Sequence, residues 1–191
     1  MAMKMNSEWV DALLEHGVDR QNRRIFFFDD VDDKPIGIII KSLYWMDSEN
    51  PDKPIELYVN SFGGCEYDMF ALHDAIQTIK SPISTIAIGK CMSAAPLLVA
   101  AGTKGKRYST QNTWFMVHQG SLDESEKKFD DLKSDMKHYD NMNVRWYELM
   151  EQNTKKPASF WKTLCAKNPD RYFTPEQAIE WGLIDHIWAE K

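Results

Sequence analysis

Within twenty residues, 83–102, the chain changes from one hydrophobic rhythm to another. "ISTIAIG" alternates in the manner of a half-buried strand. "SAAPLLVAAG", from Ser93, is a run of small and aliphatic residues with Pro96 in its first turn and Gly102 at its end, the punctuation of a short helix. A strand that turns straight into a helix must return by a crossover, and crossovers build parallel sheets. The same alternation recurs along the chain. "RIFFFDDV" reads as a strand, and a helix is expected to start at Pro35 and to close in the turn "DSENPDKP". "IELYVNS" is followed by the tight "FGG". "CEYDMFALHDAIQTIK" then carries Met69, Phe70, His73, Ile76 and Ile79 at helical spacing, and "NTWFMVHQG" is a further strand. The pattern predicts an α/β layered fold with a largely parallel sheet.

Ser7 opens a short amphipathic helix, with Trp9, Val10, Leu13 and Leu14 on one side and Gly17 after it, and "RQNRR" reads as a solvated basic loop. From Leu122 to about Asn153, Phe129, Leu132, Met136, Tyr139, Trp146 and Met150 form a narrow apolar stripe interrupted at Asn143. That is a long helix, packed on its own domain or projecting towards a partner. "TPEQAIEWG" has a capping box in Thr174 and Gln177, Pro175 at the first helical position and Gly182 as the stop, before a final strand. No repeat or linker divides the 191 residues, so one domain, 1–191, is expected.

The charge balance narrows the function. With 29 acidic against 23 basic residues and a net charge of −6, the chain lacks the basic surface that phosphate contacts need, so no nucleic acid is expected as a partner. No apolar stretch approaches a membrane span, and "MAMKMNSEWVDALLEHG" lacks the apolar core of a signal peptide. Three cysteines (Cys65, Cys91, Cys165) without a CxxC read as reduced thiols packed as small hydrophobes, and a cytoplasmic location is expected. HExxH, EF-hand, GxGxxG and GxxxxGK[ST] patterns are all missing, so neither a metal nor a cofactor is expected.

Ligands bind α/β sheets at strand ends, where loops and helix starts converge. Three such ends carry chemistry. Gly63 and Gly64 let a loop turn its N–H groups outward. Ser93 sits where a strand meets a helix, and His118 ends an apolar strand beside Gly120. Each has an ordinary reading as well: a turn, a helix N-cap and a structural hydrogen-bonder. His16, His73, His138 and His186 read as surface or helix-face residues. Together the three ends hold parts of an acyl-transfer site: a nucleophile, a base and backbone donors for an oxyanion. Spacing does not name a carboxylate to orient the base.

"LYVNSFGG", "GKCMSAAPLLVAAGTKGKRY", "WFMVHQG" and "PDRYFTPEQAIEWGLID" together resemble the proteolytic subunit of the ATP-dependent Clp protease (the ClpP family), in order from about Arg24 to Trp188. The resemblance implies a ClpP/crotonase-like α/β fold of repeated βαβ units with a projecting handle, here 121–153. Residues 1–23 then form a divergent N-terminal segment, without the family's recognisable axial hairpin. It implies a serine endopeptidase acting on unfolded polypeptides inside two stacked heptameric rings, fed by a hexameric AAA+ unfoldase. Its motifs map the nucleophile to Ser93, the base to His118, the orienting acid to Asp170, and the oxyanion donors to the N–H groups of Gly64 and Ala94.

Departures from the family pattern fall at Phe62 (usually Pro), Ala94 (commonly Met), Gly120 (usually Pro), Asn168–Pro169 and the acidic "SLDESEKK". They admit other readings: a specialised peptidase acting without an unfoldase, a non-catalytic ring subunit paired with an active paralogue, or an acyl-CoA enzyme of the crotonase fold.

Overall fold

The fold is seen in a computed structural model that describes residues 7–120, 129–167 and 170–188. The expected α/β architecture is present. A single sheet runs in the order β1 (Val18–Asp19), β2 (Arg24–Phe27), β3 (Ile55–Ser61), β4 (Ile83–Met92), β5 (Arg107–Thr110), β8 (His186–Trp188). Every neighbouring pair from β2 to β8 is parallel, and only the short β1 runs antiparallel to β2. A branch leaves β4: β6 (Trp114–Val117) pairs with it in parallel, and β7 (Arg171–Phe173) pairs with β6 in antiparallel.

The branch depends on a bend in β4. Its first half, Thr85 to Ala87, pairs with β5, and its last three residues, Lys90 to Met92, pair with β6. Between them the register against β3 slips: Val59 faces Ala87, but Ser61 faces Cys91. Gly89, at φ 68°, sits in this irregularity, and a Cβ there would make only ordinary contact with the Asn60 side chain at 3.9 Å. Glycine is needed for its backbone angle and not for room.

Helix α1 (Ser7–His16) precedes β1, and helices α2 (Asp33–Glu49), α3 (Glu66–Thr78) and α4 (Ala95–Ala100) alternate with the strands. In β3 burial alternates strictly. Ile55, Leu57, Val59 and Ser61 are fully buried, and Glu56, Tyr58 and Asn60 are half-buried on the opposite face. The half-open face carries a row of rings, with Phe26 stacked on Tyr58 at 4.9 Å and Trp188 against both Tyr58 and Tyr108. A second aromatic group ties the C-terminal elements α5 (Phe129–Asn153), α6 (Ala158–Lys167) and α7 (Pro175–Trp181) together. Trp161 packs edge-on against Trp146 and Trp181, and Phe173 lies against Trp181 at 4.7 Å.

Several expectations need correction. Helix α2 starts at Asp33 and not at Pro35, because the Asp32 carboxylate accepts the Asp33 N–H at 2.8 Å and caps it. Arg23 is no solvated loop residue: its guanidinium donates to the carbonyls of Met46, Lys53 and Pro54 and to Ser81 Oγ, closing the β2–β3 crossover. His73 is buried, within 3.3 Å of Asn153 Nδ2, and Leu14 is 78% exposed. Cys91 and Cys165 are buried as expected, and burial pushes both thiols up, Cys165 to about 12, but Cys65 is exposed. Strands β1, β5 and β7 and helix α6 have no sequence counterpart above.

The long helix divides in two. Met142, Trp146, Tyr147, Leu149 and Met150 are buried, whereas Met136, one turn and a half earlier, is 55% exposed. No helix among the described residues is long and apolar enough to cross a membrane. "SLDESEKK", Asn168–Pro169 and residues 1–6 lie outside the described residues.

Candidate active site

The bent end of β4 delivers Ser93 to the site. Its N–H donates to Met116 O at 2.8 Å, extending the β4–β6 ladder by one residue. The backbone then turns sharply, with Ser93 at φ 56°, a left-handed conformation uncommon for a residue with a side chain. Ser93 is therefore not the helix cap. The N-cap position belongs to Ala94, which makes no side-chain cap bond. The Ser93 hydroxyl is committed elsewhere: Oγ lies 2.7 Å from His118 Nε2. His118 directly follows β6, so the parallel β4–β6 register sets this contact.

Asp170 arrives from the antiparallel side. The β6–β7 register pairs Val117 with Arg171, which brings the next residues outward, His118 and Asp170, face to face. Asp170 Oδ1 is 4.0 Å from His118 Nδ1, close enough for charge attraction but beyond a hydrogen bond, and its side chain is 49% exposed.

The glycine pair packs beneath the serine. Val31 N donates to Gly63 O and Cys65 N donates to Val31 O, each at 2.7 Å. Because N–H and C=O of a trans peptide point in opposite directions, the Gly64 N–H is aimed away from Val31. A Cβ on Gly63 would sit 2.6 Å from Ser93 Cβ and 2.8 Å from Ala94 N, so no side chain fits between loop and serine. A Cβ on Gly64 would strike Val31 O. Neither Gly64 N–H nor Ala94 N–H has a hydrogen-bond partner among the described residues. Two free donors thus stand on adjacent segments beside Ser93, as stabilisation of a developing oxyanion requires.

A family model described as Clp protease matches residues 13–191. The chain belongs to the Clp protease family. Membership supports a serine-type peptidase working in a Clp-type, self-associating assembly, to which an unfoldase can be a partner. Four of the five residues expected from the motifs, Gly64, Ser93, Ala94 and His118, line one cavity of about 210 Å³; Asp170 lies behind His118 and does not line it.

The cavity also contains residues that no motif singled out. Asn143, which interrupts the apolar stripe of α5, accepts the Gly120 N–H on Oδ1 at 3.2 Å and donates from Nδ2 to Tyr139 O at 3.0 Å. It ties the chain after His118 to the long helix. Tyr139, Met142 and Trp146 form a largely apolar wall, and Glu66, the first residue of α3, faces the same space. Burial pushes the Glu66 carboxyl above its ordinary value, with the nearby His138 opposing it. No sequence signal marked Glu66: it falls two residues beyond Gly64 in the run "CEYDMFALHDAIQTIK", which reads as helical.

Proposed function

We propose that the chain is a serine endopeptidase that hydrolyses unfolded polypeptides through an acyl-enzyme. With a proton on Nδ1, His118 Nε2 accepts the Ser93 hydroxyl proton as Oγ attacks a peptide carbonyl. The carbonyl oxygen, now negative, is held by the N–H groups of Gly64 and Ala94. His118 then returns the proton to the departing amine, and water repeats the sequence to free the acid. Asp170 orients the imidazole and offsets the charge it gains. Its present distance is looser than catalysis needs, a common condition of unliganded sites that tighten around substrate. The chamber for this chemistry is two stacked heptameric rings of the same chain, fed by a hexameric AAA+ unfoldase.

The single observation that carries the reading is the 2.7 Å approach of Ser93 Oγ to His118 Nε2, on a serine held in a left-handed turn. A turn of that kind lifts the hydroxyl clear of both strand and helix. A fluorophosphonate probe is expected to label Ser93 in the assembled protein, and Ser93→Ala to abolish both labelling and peptide cleavage. A folded, assembled protein that resists labelling overturns the proposal.

A further inference from the structure

Glu66 is the unusual group of the cavity. Its Oε2 is buried and has no hydrogen-bond partner among the described residues. Its Oε1 lies against Gly120, so closely that a Cβ there would collide with it. A carboxyl at a helix start normally turns back to accept the helix's own free N–H groups. Glu66 accepts from none of them. Among the described residues that line the cavity, only His118 can carry positive charge, and it is engaged with Ser93; His138, outside the lining, acts on the carboxyl through charge without a hydrogen bond to it and pairs instead with the Tyr67 hydroxyl. A buried acceptor without a partner is costly to keep, and it is satisfied once a donor enters the space.

We infer that Glu66 is a specificity-determining residue, selecting substrates whose side chain on the acyl side of the scissile bond is cationic, lysine or arginine. The inference rests on the peptidase reading above. That side chain is carried by the carbon next to the carbonyl that Ser93 attacks, so it enters the cavity shared by Ser93 and Glu66. Tyr139, Met142 and Trp146 cover the apolar stem of a long side chain, and the carboxylate meets the charged tip. A leucine would fill the walls and leave Oε2 unpaired. Sites built around a buried polar group discriminate strongly against partners that leave it bare.

The test uses the full-length assembled protein and peptidyl aminocoumarin amides that differ only in the residue before the amide. Lysine or arginine is expected to exceed leucine at least tenfold in kcat/KM, and the ratio is expected to fall at least tenfold in Glu66→Gln. Peptidyl diphenyl phosphonates with lysine-like and leucine-like side chains give a second reading. Their relative rates of Ser93 labelling, followed by intact mass, report pocket preference on the unaltered protein. A leucine preference in the unaltered protein, or a ratio that Glu66→Gln does not move, overturns the assignment of Glu66 and leaves the peptidase standing. Failure of every amide and every phosphonate to react overturns the peptidase reading and this inference with it.

Discussion

Ser93 holds a backbone angle, φ 56°, that glycine adopts freely and a residue with a Cβ does not. The strain can be measured by comparing two substitutions that both remove the hydroxyl. Ser93→Ala and Ser93→Gly each lose the 2.7 Å contact with His118 Nε2, so that loss cancels in the comparison. They differ in the Cβ alone. In a left-handed turn a Cβ costs about 1 kcal/mol, which outweighs glycine's greater freedom in the unfolded chain. A second, smaller contribution opposes it, because the Ser93 Cβ fills space directly over Gly63. The net expectation is that Ser93→Gly is more stable than Ser93→Ala by about 0.5 kcal/mol, or roughly 1–2 °C in Tm for a chain of this size. Thermal unfolding of both variants at equal protein concentration reads the difference. If Ser93→Ala melts at or above Ser93→Gly, the turn is unstrained and the left-handed angle cannot be what positions the hydroxyl.

Asp170→Asn is expected to leave assembly intact, since the carboxylate is half-exposed and makes no hydrogen bond to His118, and to lower peptide turnover by roughly 10³–10⁴-fold through the wrong imidazole tautomer; turnover near that of the unaltered protein would assign the orienting role to another carboxylate. Arg107→Met removes a buried guanidinium that bonds Asp185 through both Nε and Nη2 and the carbonyls of Ala100 and Asn153 through Nη1, and is expected to cost about 3–5 kcal/mol at neutral pH. Burial pushes the Asp185 carboxyl up, but the hydrogen bonds and charge of Arg107, with the Gly105 N–H, hold it below its ordinary 3.8. A depressed folded pKa means stability that is present above the unfolded value and withdrawn as pH falls through the folded one. The Tm gap between the unaltered protein and Arg107→Met should therefore be widest near pH 7 and shrink below about pH 4; a constant gap would refute the ionic account.

What could be read from the sequence was local. Thr174 accepts from Gln177 N, Gln177 Oε1 accepts from Thr174 N, and Gly182 closes α7 at φ 75°, all within nine residues and all expected. The βα alternation was legible for the same reason, since each strand and helix declares its own period. Asp170 was reached only through family resemblance. The strand that positions it, β7, is three residues long and too short for a period of its own. Ser93 was legible as a site but not in its conformation: the expected cap is a strained turn, and a hydroxyl drawn to a histidine 25 residues away leaves no local trace. Glu66 was hidden for a related reason. At a helix start an acidic residue satisfies the helix dipole, and only the packed chain shows an oxygen that accepts nothing.

The site lies where the sheet forks, and the two branches are not equally firm. Ser93 and His118 both extend the β4–β6 ladder, which is held by three strand pairs and by the Ser93 N–H to Met116 O bond. Their 2.7 Å contact follows from that ladder. Asp170 depends on β6–β7, also three pairs long, but at the sheet's outer limit, where Phe173 stacked on Phe115 at 5.3 Å is the main anchor. The anchoring ring is buried two residues inward from Arg171, so the end of the strand that carries Asp170 is the part least restrained by it. A catalytic carboxylate–imidazole bond needs a separation near 2.8 Å, roughly 1 Å less than the present one. That shortening requires only a small displacement of the outer end of β7 towards His118. It leaves Ser93, His118 and the N–H groups of Gly64 and Ala94 where they are, because none of the four residues is carried by that strand.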